Sequence, residues 1–339
     1  MRPLTLHRLL WKCGILAVVL LAVMLLALKL GAVPISVTDL LLDLGRVALG
    51  QRGQLSTEYR LIVFELRLPR ILLGIMVGAA LSVAGAGFQA LLRNPLADPY
   101  VLGVSSGAAL GAILSLIASP HVPLATPLAA FAGAGLTIAA VYFLGRREGQ
   151  LDSGTLLLAG IISASFLSAV IMFLMTTLAG RDSRGMAFWL MGDLSTPLRP
   201  GLHWILVVGL LAATAAIYTT AADLNLLLTG EREAMHLGVH ITRVKLVVYI
   251  AASGLTGLAV SVSGAIGYVG LLVPHLMRLL FGTDYRLLIP TSALGGAITI
   301  VLADTLARTV VAPTELPVGA MTAMAGAPVF IYLLRRRLR

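Results

Sequence analysis

Cysteine is all but missing: the one residue, Cys13, can form neither an intramolecular disulfide nor a cysteine metal cluster. Charge is scarce too. Only 12% of the 339 residues are Asp, Glu, Lys or Arg, against roughly a quarter in a soluble domain whose surface must stay solvated. No G-x-x-x-x-G-K-[ST] segment occurs, so no P-loop for ATP is expected in this chain. Its six histidines show no H-E-x-x-H or other metal-ligand spacing, and no metal site is expected. The apolar blocks are nearly bare of the Asp, Glu and His that ion-coupled carriers keep as relay sites. Asp304 is the main exception. No small-x-small cleavage site followed by a soluble domain comes after the basic flank Arg2, Arg8, Lys12. The apolar stretch beyond it therefore reads as a membrane helix and not as a signal peptide.

What is present is apolar length. The composition is 58% hydrophobic with a mean hydropathy of +0.97, in blocks that match the roughly 17–25 residues a bilayer span needs. A membrane barrel would instead show alternating segments of about ten residues. The fold class expected is all-α, a single membrane domain over residues 1–339. Stretches free of ionisable groups set spans at about Cys13–Ala32, Pro69–Leu92, two within Pro99–Gly145, Ser153–Ala179 and Gly201–Ala221. Two more lie within Leu246–Met277, followed by Leu287–Ala307 and Val318–Leu334. The paired blocks divide at Ser119–Pro123 and at the glycine-rich Ser263–Gly267. An amphipathic segment, Pro34–Arg67, is too polar to cross. Ten spans put both termini on one side.

The net charge of +10 does not point to nucleic acid, because most Lys and Arg lie between apolar blocks, where they anchor loops at a membrane surface. A cytoplasmic N-terminus gathers Arg93, Arg146, Arg147, Arg232, Arg243, Lys245, Arg278, Arg286 and the arginine tail from Arg335 on that side. Lys29, Arg46, Arg52, Arg60, Arg67, Arg70, Arg181, Arg184, Arg199 and Arg308 fall opposite. Both termini are therefore expected inside.

Ser82-Val83-Ala84-Gly85-Ala86 recurs as Ser261-Val262-Ser263-Gly264-Ala265, and at the same offset Pro95 meets Pro274 and Gly103 meets Gly282. Five spans separate the copies, so matched halves would be inverted, as in many transporters; chance matching among small residues is the alternative. Gly74 and Gly78, then Gly103, Gly107 and Gly111, supply small faces for close helix packing in lipid.

Gly103-Val104-Ser105-Ser106-Gly107 fits the G-x-S-x-G pattern of a serine nucleophile. It opens a membrane helix with no strand before it, so the strand–turn–helix context of that chemistry is missing. Asp304 and Arg308 stand at i,i+4 and are expected to pair. Between the sixth and seventh spans, Leu224–Val239 reads as a short helix lifted from the membrane. Thr229 and Glu231 are placed to cap its start and Gly238 to stop it. Such an element suits a cleft in a soluble partner.

Several of these segments, taken together, resemble one family. Arg67-Leu68-Pro69-Arg70, Gly78-Ala79-Ala80-Leu81, Gln89-Ala90-Leu91, Asn94-Pro95-Leu96-Ala97-Asp98-Pro99 and Leu102–Ala108 carry the likeness early in the chain. Leu156–Gly160, Gly230-Glu231, Leu237-Gly238, Gly264–His275, Ala303-Asp304, Glu315–Gly319 and Gly326–Phe330 continue it in order. The chain resembles the FecCD permeases of ABC importers for iron–siderophores, haem and cobalamin.

The resemblance implies a homodimer with ten helices per subunit, working by alternating access in the inner membrane. Two cytoplasmic ATPase subunits, which hold the ATP and magnesium, would dock on Gly230, Glu231, Arg232, Ala234, Leu237 and Gly238. A periplasmic substrate-binding protein would meet Arg67, Arg70 and Arg308 through its acidic residues. Asn94, Leu96, Ser153 and Gly154 would form the cytoplasmic gate, although glycine replaces the hydroxyl residue expected at 154. Iron–siderophore is the first expectation for cargo, and an ion-coupled secondary transporter is the competing class.

Overall fold

The computed structural model of the protein describes residues 5–31, 61–118, 124–147, 150–178, 183–195 and 201–337, with Gly45 and Val122 besides. The expected amphipathic segment Pro34–Arg67 lies outside these residues except for Gly45 and its last seven. So do Arg2, Arg46, Arg52, Arg60, Arg181, Arg199 and Arg339, and the turn Ser119–Pro123 apart from Val122.

Thirteen helices are described. Helix α1, Leu6–Lys29, starts earlier than expected because Thr5 caps it, its hydroxyl accepting from Arg8 N at 3.4 Å. A π-helical segment, Leu61–Arg67, runs directly into α2, Leu68–Leu91, whose Pro69 sits where its missing N–H costs nothing. After a break come a 3-10 turn, Pro99–Leu102, and α3, Val104–Ala118. Helix α4 is Ala125–Leu144, α5 Ser153–Leu178 and α6 Ser183–Leu190. Helix α7 is Leu202–Thr219, α8 Ala221–Leu227 and α9 Glu231–His236. Helices α10, Ile241–Ser263, α11, Val269–Phe281, α12, Tyr285–Thr309, and α13, Val318–Arg337, complete the bundle. A two-residue antiparallel ladder, Arg146–Arg147 against Gln150–Leu151, is a small departure from the purely helical expectation.

Among the described residues, seven helices are long and apolar enough to cross a membrane: α1, the joined π-segment and α2, α4, α5, α7, α10 and α12. The other three expected spans coincide with shorter apolar stretches, Val104–Ala118, Val269–Phe281 and Val318–Leu333. Two of the three follow a break. Helix α11 starts against α2, because a Cβ on Gly85 would collide with the Gly270 carbonyl, about two turns from the end of α2. Pro99 packs on Gly270 as well. The two breaks therefore meet inside the bundle, and Tyr100 joins them. Its hydroxyl donates to Ile266 O and accepts from Ile266 N, both at 2.9 Å.

The architecture repeats as long helix, break and half-helix: α2 then α3, and α10 then α11. The residue register of the repeat is not kept. Gly85 is mid-helix where Gly264 ends α10, and Pro95 lies in a turn where Pro274 lies inside α11. Gly103 and Gly282 share a positive φ, 75° and 104°, but the first precedes the half-helix α3 and the second follows the half-helix α11.

Helix α2 is the centre of the core, and small residues set its contacts. Gly78 lies on Gly296 of α12, and Gly107 of α3 on Gly133 of α4, so closely that added Cβ atoms would strike backbone. Lipid supplies no hydrophobic drive between helices, and such approaches let dispersion and polar contacts hold them. Helix α2 is antiparallel to α10 and α12: Gly74 meets Ile300 and Val301, and Gly87 meets Val248 and Ala252. One end of the bundle is thus marked by Arg70 and the other by Lys245. Lys12 donates to Phe281 O at 3.1 Å, placing the start of α1 at the Lys245 end. Val318 N reaches Gly192 O at 3.0 Å near the Arg70 end, and α13 runs away from there. Both described chain ends therefore lie on the Lys245 side.

Candidate functional site

Two charge-bearing clusters stand at opposite ends of the bundle. At the Arg70 end, the first turn of α2 meets the last turns of α12 and α1. Arg70 Nε donates to Asp304 Oδ1 at 2.8 Å, and its Nη1 donates to Glu315 Oε2 at 2.7 Å. Arg308 Nε lies 3.1 Å from Asp304 Oδ2, off the line of a hydrogen bond, and its Nη2 donates to Ala27 O at 3.2 Å. Arg67 Nη1 donates to Leu28 O at 2.6 Å and to Lys29 O at 3.2 Å. Asp304 is therefore a buried anion, its side chain 3% exposed, clamped between two guanidiniums. Burial of this kind persists only when the charge is paired and its oxygens hydrogen-bonded.

The expected pairing of Asp304 with Arg308 is present. The structure adds Arg70 and Glu315 to it. Arg67, Arg70 and Arg308 come together around one cleft of about 330 Å³, shared with Gly31, Ile62, Leu66, Ser195 and Glu315. Access to them is only partial: Arg67 and Arg308 are buried and partnered within the chain. Glu315, which sequence reasoning did not single out as a site, is half in solvent.

At the Lys245 end, α9 stands out from the bundle. Its frame is glycine: Gly230 precedes it at φ 128° and Gly238 follows at φ 88°, values that side chains with a Cβ rarely take. Gly238 ends the helix as expected, one residue beyond the C-cap Leu237. The expected capping by Thr229 and Glu231 is not found. Thr229 Oγ1 turns back to Leu226 O at 2.8 Å, and Gly230 is the N-cap with no side-chain bond. Ala234 faces inward, fully buried, while Arg232, Met235 and Leu237 face out. Glu231, Met235 and Gly238 border a cavity of about 790 Å³ with His240 and Arg243. Glu231 itself turns toward the bundle. Its Oε2 is 2.9 Å from Lys245 Nζ and its Oε1 is 3.9 Å from Arg93 Nη1.

The four residues expected at a gate are close by. Asn94 Oδ1 accepts from Leu96 N at 2.9 Å, which shapes the turn after α2. Ser153 Oγ donates to Leu91 O at 3.2 Å, so the start of α5 is tied to the end of α2. Asp152 caps α5 through Thr155 N at 2.8 Å. Gly154 is exposed, and a Cβ there would meet only Asp152 Oδ1 at 3.5 Å, so the site has room for the hydroxyl residue it lacks.

Two other polar junctions brace this end. Gln89 Nε2 donates to Leu271 O at 3.0 Å and Gln89 Oε1 accepts from Arg278 Nη2 at 3.0 Å, linking α2 to α11. Asp284 receives Asn225 Nδ2 at 2.7 Å and Arg286 Nη2 at 2.9 Å, linking α8 to α12. Partial burial works upward on the Asp284 carboxyl, but the bonds from Arg286 and Asn225 and the Arg286 charge outweigh it and hold it below its ordinary value.

This geometry can be set beside known proteins. The cobalamin import system permease protein BtuC of Halobacterium salinarum is 44% identical over 286 residues, covering 82% of this chain and 74% of that one. The hemin transport system permease protein HmuU of Yersinia pestis is 41% identical over 288 residues, covering 81% of this chain and 84% of that one. A solved structure described as a metal-chelate type ABC transporter, in an inward-facing conformation, superposes with a TM-score of 0.81. It is 28% identical, and the match covers 96% of this chain and 99% of that one. The FecCD transport family matches residues 19–336. With that match running almost from end to end, over a helical bundle built like that solved transporter, the chain belongs to the FecCD transport family.

Proposed function

We propose that the chain is the membrane-spanning permease subunit of an ATP-driven importer that passes a metal chelate from a periplasmic binding protein to the cytoplasm by alternating access. The observation that carries this is α9. It is a short helix framed by two positive-φ glycines, presenting Arg232, Met235 and Leu237 outward on the side where both described chain ends lie. That element suits a cleft in an ATPase subunit, and membership in a transport family supports the assignment. The chain is a transport component and not an enzyme; ATP and magnesium belong to two partner ATPases. A second copy completes the permease, in the inner membrane with both termini cytoplasmic.

Within this scheme Gly230, Glu231, Arg232, Ala234, Leu237 and Gly238 couple to the ATPases. Asn94, Leu96, Ser153 and Gly154 close the cytoplasmic gate. The Arg67, Arg70 and Arg308 cluster receives acidic residues of the binding protein. Iron–siderophore is the proposed cargo, with cobalamin and haem as the alternatives that the relatives' names supply.

The test is ATPase activity of the chain co-purified with its ATPase in lipid, with and without binding protein. Proline holds φ near about −65°, whereas Gly238 sits at φ 88°, so Gly238→Pro must distort the end of α9. The expected result is an assembled complex whose hydrolysis no longer responds to binding protein. Uptake that survives without any ATPase and collapses with an ionophore would overturn the proposal in favour of an ion-coupled carrier.

A further inference from the structure

Lys245 is the buried cation of the cluster at its end of the bundle, and it occupies a junction between four segments. It lies one turn into α10, with its side chain 9% exposed. The other lysines of the chain, Lys12 and Lys29, are near the ends of α1. Its ammonium is 2.9 Å from Glu231 Oε2, at the first residue of α9, and donates to Leu151 O at 3.1 Å. Leu151 ends the small ladder two residues before Ser153, whose hydroxyl holds Leu91 O at the end of α2. The turn that follows Leu91 carries Arg93, at φ 48°, and Arg93 approaches the other Glu231 oxygen at 3.9 Å. The contacts close a ring: α9 to α10, α10 to the start of α5, α5 to the end of α2, and α2 back to α9.

We infer that Lys245 is a positioning residue that makes the α9 helix and the Leu151–Ser153 segment move together. This rests on the proposed roles of α9 in coupling and of Ser153 in the gate. The physical reason is the cost of leaving an ammonium buried without partners. Both of its partners are short: a carboxylate on a six-residue helix and one backbone carbonyl. If α9 shifts while the Leu151 strand stays, the ammonium must abandon one of them, and a buried charge stripped of a partner is strongly disfavoured. The joint displacement keeps both bonds, so it is the cheaper one. Charge assistance makes these hydrogen bonds about twice as strong as neutral ones, which gives the link its stiffness. Glu231 is thereby more than a surface residue for the ATPase: its carboxylate is the handle by which α9 holds the bundle.

The test uses the full complex with ATPase and binding protein in lipid and reads transport per ATP hydrolysed. Lys245→Met removes both bonds. The expected outcome is hydrolysis retained in the assembled complex, while cargo moved per ATP falls about tenfold, the size of an ordinary coupling free energy. Lys245→Arg, which keeps a cationic donor, recovers most of the ratio. A Lys245→Met complex that transports with the wild-type ratio overturns the inference. Should Lys245→Met fail to assemble, the exchange Glu231→Lys with Lys245→Glu decides. It restores an ion pair but leaves Leu151 O without its donor, so assembly returns and coupling does not; wild-type coupling in the exchanged pair overturns the inference. Leu237→Asp on the outward face of α9 separates the two layers. If it abolishes ATPase association and Lys245→Met stays coupled, only the Lys245 link falls. If Leu237→Asp leaves association and coupling intact, the coupling role of α9 falls, and the inference with it.

Discussion

The two ends of the bundle solve the same electrostatic problem with opposite signs. At the Arg70 end a buried anion, Asp304, is held by cations on α2 and α12, two of the long central helices. At the Lys245 end a buried cation is held by a carboxylate on a six-residue helix and by a carbonyl in a two-residue strand. The first arrangement ties long helices to one another. The second ties short segments to one long helix. A charge locked between long helices resists any relative motion there, whereas a charge shared among short segments lets them move provided they move as a group. The Arg70 end is braced and the Lys245 end is geared.

Asp304→Asn should have the largest effect. It leaves Arg70 and Arg308 facing each other with their central anion gone, and breaking one partner of a buried charge cluster costs about 3–5 kcal/mol. Thermal unfolding in detergent would read it. Lys245→Met should cost less, about 1.5–3 kcal/mol, the scale of hydrogen bonds to a charged group, because half-buried Glu231 can turn to water. Equal losses at the two ends would mean that the short segments hold their charge as firmly as the long helices do.

Glu315→Ala should cost still less, about 0–1 kcal/mol as for other solvent-screened pairs. It frees Arg70 Nη1 for an incoming carboxylate, so affinity for the binding protein should rise while stability barely changes. A fall in affinity would mean that Glu315 itself contacts the partner.

The smallest effect concerns Asp284. Its folded carboxyl titrates below its ordinary value of 3.8, so its contribution is fully present above that pH and is lost as the pH falls through the lower folded value. Melting temperatures compared above and below pH 3.8 should show a drop that Asp284→Asn reduces. No change in the drop would assign acid sensitivity to other groups.

How much of this the sequence declares depends on range. Charge-free blocks mark the long helices, since a helix in lipid must be apolar along its length whatever it packs against. The break at Ser263–Gly267 shows as glycine, and the i,i+4 spacing of Asp304 and Arg308 shows their pairing without any tertiary knowledge. Arg70 reaching Asp304 spans 234 positions, and Lys245 reaching Leu151 spans 94, so neither contact leaves a local trace. The half-helices are hidden for another reason. Apolar composition is the same whether a helix crosses or stops inside, so the block Pro99–Gly145 does not reveal that α3 begins only after a buried turn. Helix α6 was missed because Asp182, Arg181 and Arg184 interrupt the apolar pattern there. The error over Thr229 has a third cause: a capping residue is readable, but a glycine that removes the need for one is not.

The hydroxyl of Tyr100 has a consequence for how the interior can deform. Each break in a membrane helix exposes amide and carbonyl groups that lipid cannot solvate, at several kcal/mol apiece when bare. One phenol satisfies both polar groups of Ile266 from the opposite break. Neither break can open away from the other without stranding them, so the two are not independent hinges. They are pinned to each other at one point inside the protein, so that loosening either break strands the polar groups of the other.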